Sequence, residues 1–288
     1  MNNFIFFGSP LFSKIVLEKI IENGFVPKAL VCNPDKPTGR KKIITPPETK
    51  KLILEKYLNK KIKILQPEKL NQEFINEILK INPSFAIVCA YSKILNKEVL
   101  NLFPKGILGV HPSILPKYRG PAPIQWTILN GEKESGVTIY LLDELTDHGP
   151  ILAQQKTEIL NLNFEQTQEK LANLAGELLV KTIPLFLDGK INPQIQDETL
   201  ATYTKKFKTE DAYIDFNDIL SAQNFGGEKA IEIYKKIKAL NPEPGVWTIQ
   251  NNKRIKILDA EIILNKIKIT KIQKEGEKPK NLKENLLI

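Results

Sequence analysis

The sequence predicts an α/β protein in two parts: an N-terminal Rossmann-like domain on a parallel sheet, and a small C-terminal OB-like β-barrel in trimmed form. Three observations carry this. Short apolar runs at residues 4–7, 29–32, 62–65 and 85–90 alternate with segments of helical spacing, the pattern of a parallel sheet with right-handed crossovers. Beyond Trp247 the chain instead alternates lysine with isoleucine, which is strand periodicity. The length of 288 residues suits two domains and a sizeable core.

Taken in order, Phe4-Ile5-Phe6-Phe7 reads as a buried strand. Ser9 is placed to cap the next helix, with Pro10 at its first position. Gly24 ends that helix after Asn23. The pattern G-x-G-x-x-G is absent from this strand–turn–helix opening, so NAD or FAD binding has no support. Residues 33–47, NPDKPTGRKKIITPP, hold four prolines and a basic cluster, which predicts a loop and not a regular element. Thr45-Pro46-Pro47-Glu48 has capping-box spacing for a helix to about Leu58. Asn71 precedes a helix with Phe74, Ile75, Ile78 and Leu79 on one face. Asn163-x-x-Gln166 opens a long helix to about Leu187. Four C-terminal strands are expected, at 246–249, 254–258, 261–264 and 266–272. The divisions are residues 1–189, a linker at 190–208, and 209–288.

The chain is organised around residues 106–152, which contain both of its histidines. Residues 107–110 form an apolar run that delivers His111 at its C-terminal end, where open α/β sheets bind ligands. A second run at 137–142 is followed by Asp147 in a Thr-Asp-His-Gly turn. Two neighbouring strands are thus expected to bring an imidazole and a carboxylate to one rim, a pairing suited to general acid–base chemistry. Singly, each residue reads as a packed histidine or a turn former.

Composition narrows the function. Hydrophobic residues make up 42% of the chain, and no apolar run has transmembrane length. The first residues read as a strand and not a signal peptide, so a cytoplasmic location without membrane contact is expected. Cys32 and Cys89 lie in apolar runs and read as buried free thiols. No His/Cys cluster has ligand spacing, so no metal is expected. The formal charge of +9 fits a polyanionic partner. Arginine occurs only at positions 40, 119 and 254, which marks each as a fork-shaped donor that lysine cannot imitate.

His-Pro-Ser-Ile-Leu-Pro-Lys-Tyr-Arg-Gly, followed by Ala-Pro-Ile-Gln-Trp, Gly-Val-Thr-Ile and Asp-x-Gly-Pro-Ile-Leu, resembles the formyltransferases that use 10-formyltetrahydrofolate. Within them it is most similar to the methionyl-tRNA formyltransferases. Gln66-Pro67-Glu68-Lys69-Leu70, Asp211-Ala212-Tyr213-Ile214-Asp215-Phe216 and Asn241-Pro242-Glu243-Pro244-Gly245-Val246-Trp247 extend the resemblance over almost the whole chain.

The resemblance implies transfer of a formyl group from 10-formyltetrahydrofolate to methionyl initiator tRNA by a monomer that needs no metal. It implies His111 as general acid/base and Asp147 as its orienting partner. Ser113, Ile114, Leu115 and Pro116 become the folate-pocket segment, and Arg119 closes that loop. Lys36, Arg40, Lys41 and Lys42 become the loop that meets the tRNA acceptor end, and the C-terminal domain a tRNA-binding one. One position departs: the family motif is Asn-x-His, its asparagine amide facing the oxyanion, and here Gly109 stands there. A missing oxyanion donor costs roughly a hundredfold or more in turnover, so activity is expected to be reduced. Gly109 is read as leaving room for a water or a backbone N–H, and Gly109→Asn as a gain of activity. The alternatives are a tRNA- or folate-binding relative with impaired catalysis and a sugar-nucleotide N-formyltransferase.

Overall fold

A computed structural model describes residues 3–39 and 41–282. The chain divides into two compact units. The first comprises residues 1–119, 135–157 and 168–203; the second comprises 120–134, 158–167 and 204–288. The partition is therefore not linear in sequence. Residues 190–203, read above as linker, belong to the first unit, and two short stretches that precede residue 189 belong to the second.

The elements are β1 (Phe4–Phe7), α1 (Leu11–Glu22), β2 (Ala29–Val31), β3 (Lys36–Thr38), β4 (Ile43–Thr45), α2 (Glu48–Lys56), β5 (Lys63–Leu65), α3 (Gln72–Ile81), β6 (Phe85–Cys89), α4 (Lys97–Leu100), β7 (Ile107–His111), α5 (Pro123–Leu129), β8 (Glu134–Leu141), β9 (Ile151–Glu158) and α6 (Phe164–Leu187), followed by α7 (Phe216–Asn224), α8 (Glu228–Leu240), β10 (Trp247–Gln250), β11 (Lys253–Ile263), β12 (Lys266–Lys274) and β13 (Lys280–Asn281).

The first unit is built on a seven-stranded sheet in the order β5-β2-β1-β6-β7-β8-β9. The strands from β5 to β7 pair in parallel, as the alternating pattern predicts. β1 is buried at every position, the signature of a parallel strand covered on both faces. Ile5, Phe7, Val31, Phe74, Ile78 and Phe103 share one core cluster. β8 breaks the pattern: it runs antiparallel to β7, so its exit lies at the opposite rim from His111.

Several local expectations are corrected. Ser9 does not cap α1; its Oγ accepts the Asn33 N–H at 2.9 Å instead, and Pro10 occupies the N-cap position. Thr45 does not cap α2, because its hydroxyl is used by the Ile43 carbonyl at 3.0 Å. The proline-rich stretch is not an irregular loop. β3 and β4 form a two-stranded ribbon with Pro37 opposite Ile44, and a two-stranded ribbon leaves each strand a free edge on which proline is tolerated. Other expectations hold. Asn71 accepts the Phe74 N–H at 3.2 Å, and Asn163 and Gln166 cap α6 reciprocally, at 2.9 and 3.0 Å. Cys32 and Cys89 are buried free thiols; burial pushes the Cys32 thiol up to about 11 and also raises Cys89.

In the second unit α7 and α8 pack against a four-stranded antiparallel sheet in the order β10-β11-β12-β13. Two expected strands are one: β11 runs through the Ile257–Ala260 irregularity without breaking. Asn251-Asn252 and Leu264-Asn265 turn the two hairpins with positive φ throughout, the geometry of two-residue hairpin loops. Among the described residues this is an open antiparallel sheet and not a closed five-stranded barrel. No helix among the described residues is long and apolar enough to cross a membrane.

Candidate active site

Strand register dictates which side chains meet. Side chains alternate across a strand, so Gly109 and His111 of β7 share one face. In the antiparallel pair Gly109 lies opposite Tyr140, and His111 opposite Thr138. Directly opposed residues project to the same side. That face therefore carries His111, Thr138, Tyr140 and the empty Cα of Gly109.

Asp147 reaches this face by a different route from the one expected. Because β8 leaves at the far rim, residues 142–150 must double back. The Leu141 N–H donates to the Pro150 carbonyl at 2.9 Å, closing the loop. Gly149 makes the closure possible: a Cβ there would lie 1.8 Å from the Leu141 carbonyl oxygen. Asp147 itself sits at φ +49, a left-handed conformation that Asp tolerates better than most residues.

The loop brings the predicted pair together. His111 Nδ1 lies 3.5 Å from Asp147 Oδ2. The other ring nitrogen, Nε2, is 2.8 Å from the Tyr118 carbonyl. The imidazole is only 6% exposed and is bracketed by an acceptor at each nitrogen.

Asp147 has further partners that the sequence did not reveal. The Tyr140 hydroxyl donates to its Oδ1 at 2.6 Å. The Gln196 amide donates to the Asp147 carbonyl at 2.9 Å and to the Gly149 carbonyl at 2.8 Å. Arg119 sets the orientation of that amide. Its Nε and Nη2 donate to Gln196 Oε1 at 3.1 and 2.8 Å. Its Nη1 and Nη2 clasp Glu198 at 2.9 and 2.7 Å, and Nη1 also reaches the Tyr203 hydroxyl at 3.0 Å. Arg119 is completely buried. Its hydrogen bonds hold the Glu198 carboxyl below the usual carboxylate range, and Glu198 in turn raises Arg119. His148 joins the rim of this network, with Nδ1 2.6 Å from Asp143 and Nε2 3.5 Å from Glu198 Oε1.

The segment Ser113-Ile114-Leu115-Pro116 is fixed by its backbone. The Thr138 hydroxyl donates to the Ser113 carbonyl at 2.7 Å and accepts the Leu115 N–H at 3.1 Å. Gln154 donates to the Leu115 carbonyl at 3.0 Å. The Ser113 hydroxyl is turned inward to the Lys117 carbonyl at 2.7 Å, and Ser113 and Leu115 are buried. Neither side chain lies open to a ligand.

Gly109 does not leave room. A Cβ built on it would lie 2.4 Å from Tyr140 Cε1 and 2.5 Å from Leu142 Cδ1. The Tyr140 ring occupies the space that a side chain at position 109 would need, an aromatic covering a cross-strand glycine.

The basic cluster stands elsewhere, on the β3–β4 ribbon. Lys36, Lys41 and Lys42 are exposed, and Arg40 lies outside the described residues. The root of this ribbon is anchored. Lys50 Nζ donates to both Asp35 oxygens at 2.9 and 2.8 Å and to Gln66 Oε1 at 2.6 Å. Hydrogen bonds from Lys50 and Gln66 hold the Asp35 carboxyl below its ordinary value.

Comparison with known proteins accords with this arrangement. Residues 2–183 match the family model described as formyl transferase, and residues 206–275 the model of the formyl transferase C-terminal domain. The methionyl-tRNA formyltransferase of Campylobacter lari is 40% identical over 289 residues, spanning 100% of this chain and 88% of the relative. That of Dictyoglomus thermophilum is 42% identical over 259 residues, 89% of this chain and 78% of the relative. Among solved structures, the methionyl-tRNA formyltransferase from Clostridium thermocellum superposes with a TM-score of 0.62 at 19% identity, covering 95% of this chain and 99% of the other. An N-formyltransferase from Helicobacter canadensis, solved with folinic acid and dTDP-3-aminofucose, gives 0.63 at 21% identity over 91% and 88%. At such identities the structural matches establish the shared fold.

Proposed function

Because the chain belongs to the methionyl-tRNA formyltransferase family, we propose that His111 and Asp147 catalyse transfer of the formyl group from 10-formyltetrahydrofolate to the α-amino group of methionyl initiator tRNA. The observation that supports these roles is the approach of His111 Nδ1 to Asp147 at 3.5 Å on the face that carries Gly109 and Tyr140.

The chemistry follows from what the pair can do. The amine attacks the formyl carbon, a C–N bond forms and the carbonyl oxygen gains charge. The amine must then lose a proton, and the folate N10 must gain one as its bond to the formyl carbon breaks. An imidazole can do both in turn. With Nδ1 facing Asp147, Nε2 is the nitrogen for this task, and the substrate displaces its bond to the Tyr118 carbonyl. Asp147 fixes the ring and stabilises its charged form. The folate pteridine is read onto residues 113–116, whose backbone Thr138 and Gln154 hold rigid. The side chains of Ser113 and Leu115 are committed inward, so what this segment offers the folate is the half-buried Ile114 and Pro116.

The exposed lysines of the β3–β4 ribbon are read as phosphate contacts at the acceptor end of the tRNA, so binding weakens steeply with added salt. Lys50→Met cuts the ribbon's anchor to Asp35 and Gln66 without removing an exposed charge from the ribbon. Its expected effect is a rise of roughly tenfold in the KM for tRNA, with the KM for folate unchanged, measured by steady-state kinetics.

The test of the reading is direct. The protein is incubated with 10-formyltetrahydrofolate and methionyl initiator tRNA, and formyl-methionine is measured. Transfer is expected, lowered about 10²- to 10⁴-fold in His111→Ala. Equal transfer in the variant removes His111 from the mechanism. Transfer to an amino-sugar nucleotide with none to the tRNA replaces the acceptor.

A further inference from the structure

We propose that Tyr140 is a positioning residue of the active site, its hydroxyl fixing the Asp147 carboxylate that faces His111, and that position 109 is glycine in order to admit the Tyr140 ring. The proposal rests on the catalytic reading of His111 and Asp147 given above.

Four observations converge on it. The register pairs Gly109 directly with Tyr140, so the tyrosine ring and the missing side chain compete for one space. A Cβ at position 109 would lie 2.4 and 2.5 Å from two ring atoms of Tyr140, which no rotation of an exposed tip relieves, because the ring is only 6% exposed. The hydroxyl is spent on one partner, Asp147 Oδ1, at 2.6 Å. The other Asp147 oxygen is the one that faces His111. Tyrosine and histidine thus hold the carboxylate from its two oxygens.

The direction of the hydrogen bond is fixed by chemistry. Burial and the adjacent Asp147 charge hold the Tyr140 phenol well above its ordinary value of 10.0. The phenol is therefore a neutral O–H donor at any working pH, and Asp147 is the acceptor. A phenol donating to a carboxylate is a charge-assisted bond, stronger and more directional than a neutral one. Asp147 sits in a loop that doubles back over the sheet, and Gln196 holds its backbone carbonyl. The Tyr140 bond is what ties its side chain to the rigid β8 strand. Without it the carboxylate loses the bond that fixes Oδ1, and with it a restraint on the oxygen that faces His111 Nδ1.

The experiment uses the full chain and Tyr140→Phe, which keeps the ring over Gly109 and deletes only the hydroxyl. Two readouts are taken. In steady-state kinetics kcat is expected to fall about ten- to a hundredfold, with both KM values within twofold of the parent. In the imidazole ¹⁵N spectrum the chain has only two histidines, so each ring is resolved, and His148→Gln assigns them. The His111 nitrogens are expected to shift in Tyr140→Phe. Those of His148, held between Asp143 and Glu198, are expected to stay. Unmoved His111 signals, or an unchanged kcat in an active enzyme, overturn the proposal. The spectrum does not depend on turnover. A protein that transfers no formyl group but shows the His111 shift loses the reaction assigned above and keeps the positioning role.

Discussion

Gly109→Asn is expected to cripple the enzyme, although motif comparison alone suggests that an asparagine there would improve it. The new Cβ must sit 2.4 Å from Tyr140 Cε1 and 2.5 Å from Leu142 Cδ1, and the rest of the amide lies beyond it. Overpacking a well-filled interior costs about 1–3 kcal/mol even for small additions, and an amide buried without partners adds to that. The ring cannot swing aside without breaking its bond to Asp147, so instability and loss of turnover should come together. We expect a melting temperature lower by several degrees and transfer reduced by about a hundredfold or more. The double variant Gly109→Asn/Tyr140→Ala separates the causes. If the clash is the reason, Tyr140→Ala costs less in the Gly109→Asn background than in the parent, and the cycle gives a coupling of about 1 kcal/mol or more. Additive effects, with Gly109→Asn at full stability, show that the space at position 109 is open.

That reversal shows what the sequence could and could not convey. The strands β1, β2, β6 and β7 were legible because a buried parallel strand must be a nearly continuous apolar run, and Phe4-Ile5-Phe6-Phe7 is one. His111 and Asp147 were legible as chemistry, since both residue types suit proton transfer. Their approach was expected, but its route through a loop that doubles back was not, because the run at 137–142 reads alike whether its strand is parallel or antiparallel. Tyr140 was invisible for the same reason: an aromatic in a strand is unremarked until register sets it opposite Gly109. The ribbon at Lys36–Thr38 and Ile43–Thr45 was hidden by its prolines, whose signal for a loop is overridden where a strand has a free edge. The stretch read as linker concealed Gln196 and Glu198, polar residues that count as solvated until a buried guanidinium faces them.

Arg119→Ala is the second change with a large expected effect, and it acts through that stretch. Arg119 is wholly buried and donates to Gln196, Glu198 and Tyr203. Removing it leaves Gln196 Oε1 without either guanidinium donor and the Glu198 carboxylate without its clasp. The Glu198 side chain is 55% exposed and can turn to water, so the cost falls on the buried Gln196: an orphaned buried acceptor costs about 1–3 kcal/mol, which corresponds to a fall of about 5 °C in the melting of the unit that contains it. Function should suffer beyond stability. The two bonds to Oε1 point the Gln196 amide nitrogen at the carbonyls of Asp147 and Gly149, so the arginine holds the Asp147 turn through an intermediary. Arg119→Lys tests whether charge or shape matters. An ammonium is a point donor and cannot satisfy Gln196 and both Glu198 oxygens together. The lysine variant should therefore melt closer to the alanine variant than to the parent, and its kcat should fall when assayed well below its melting temperature. A lysine variant with the parent's stability and kcat would reduce Arg119 to a neutralising charge and leave the Asp147 turn to hold itself.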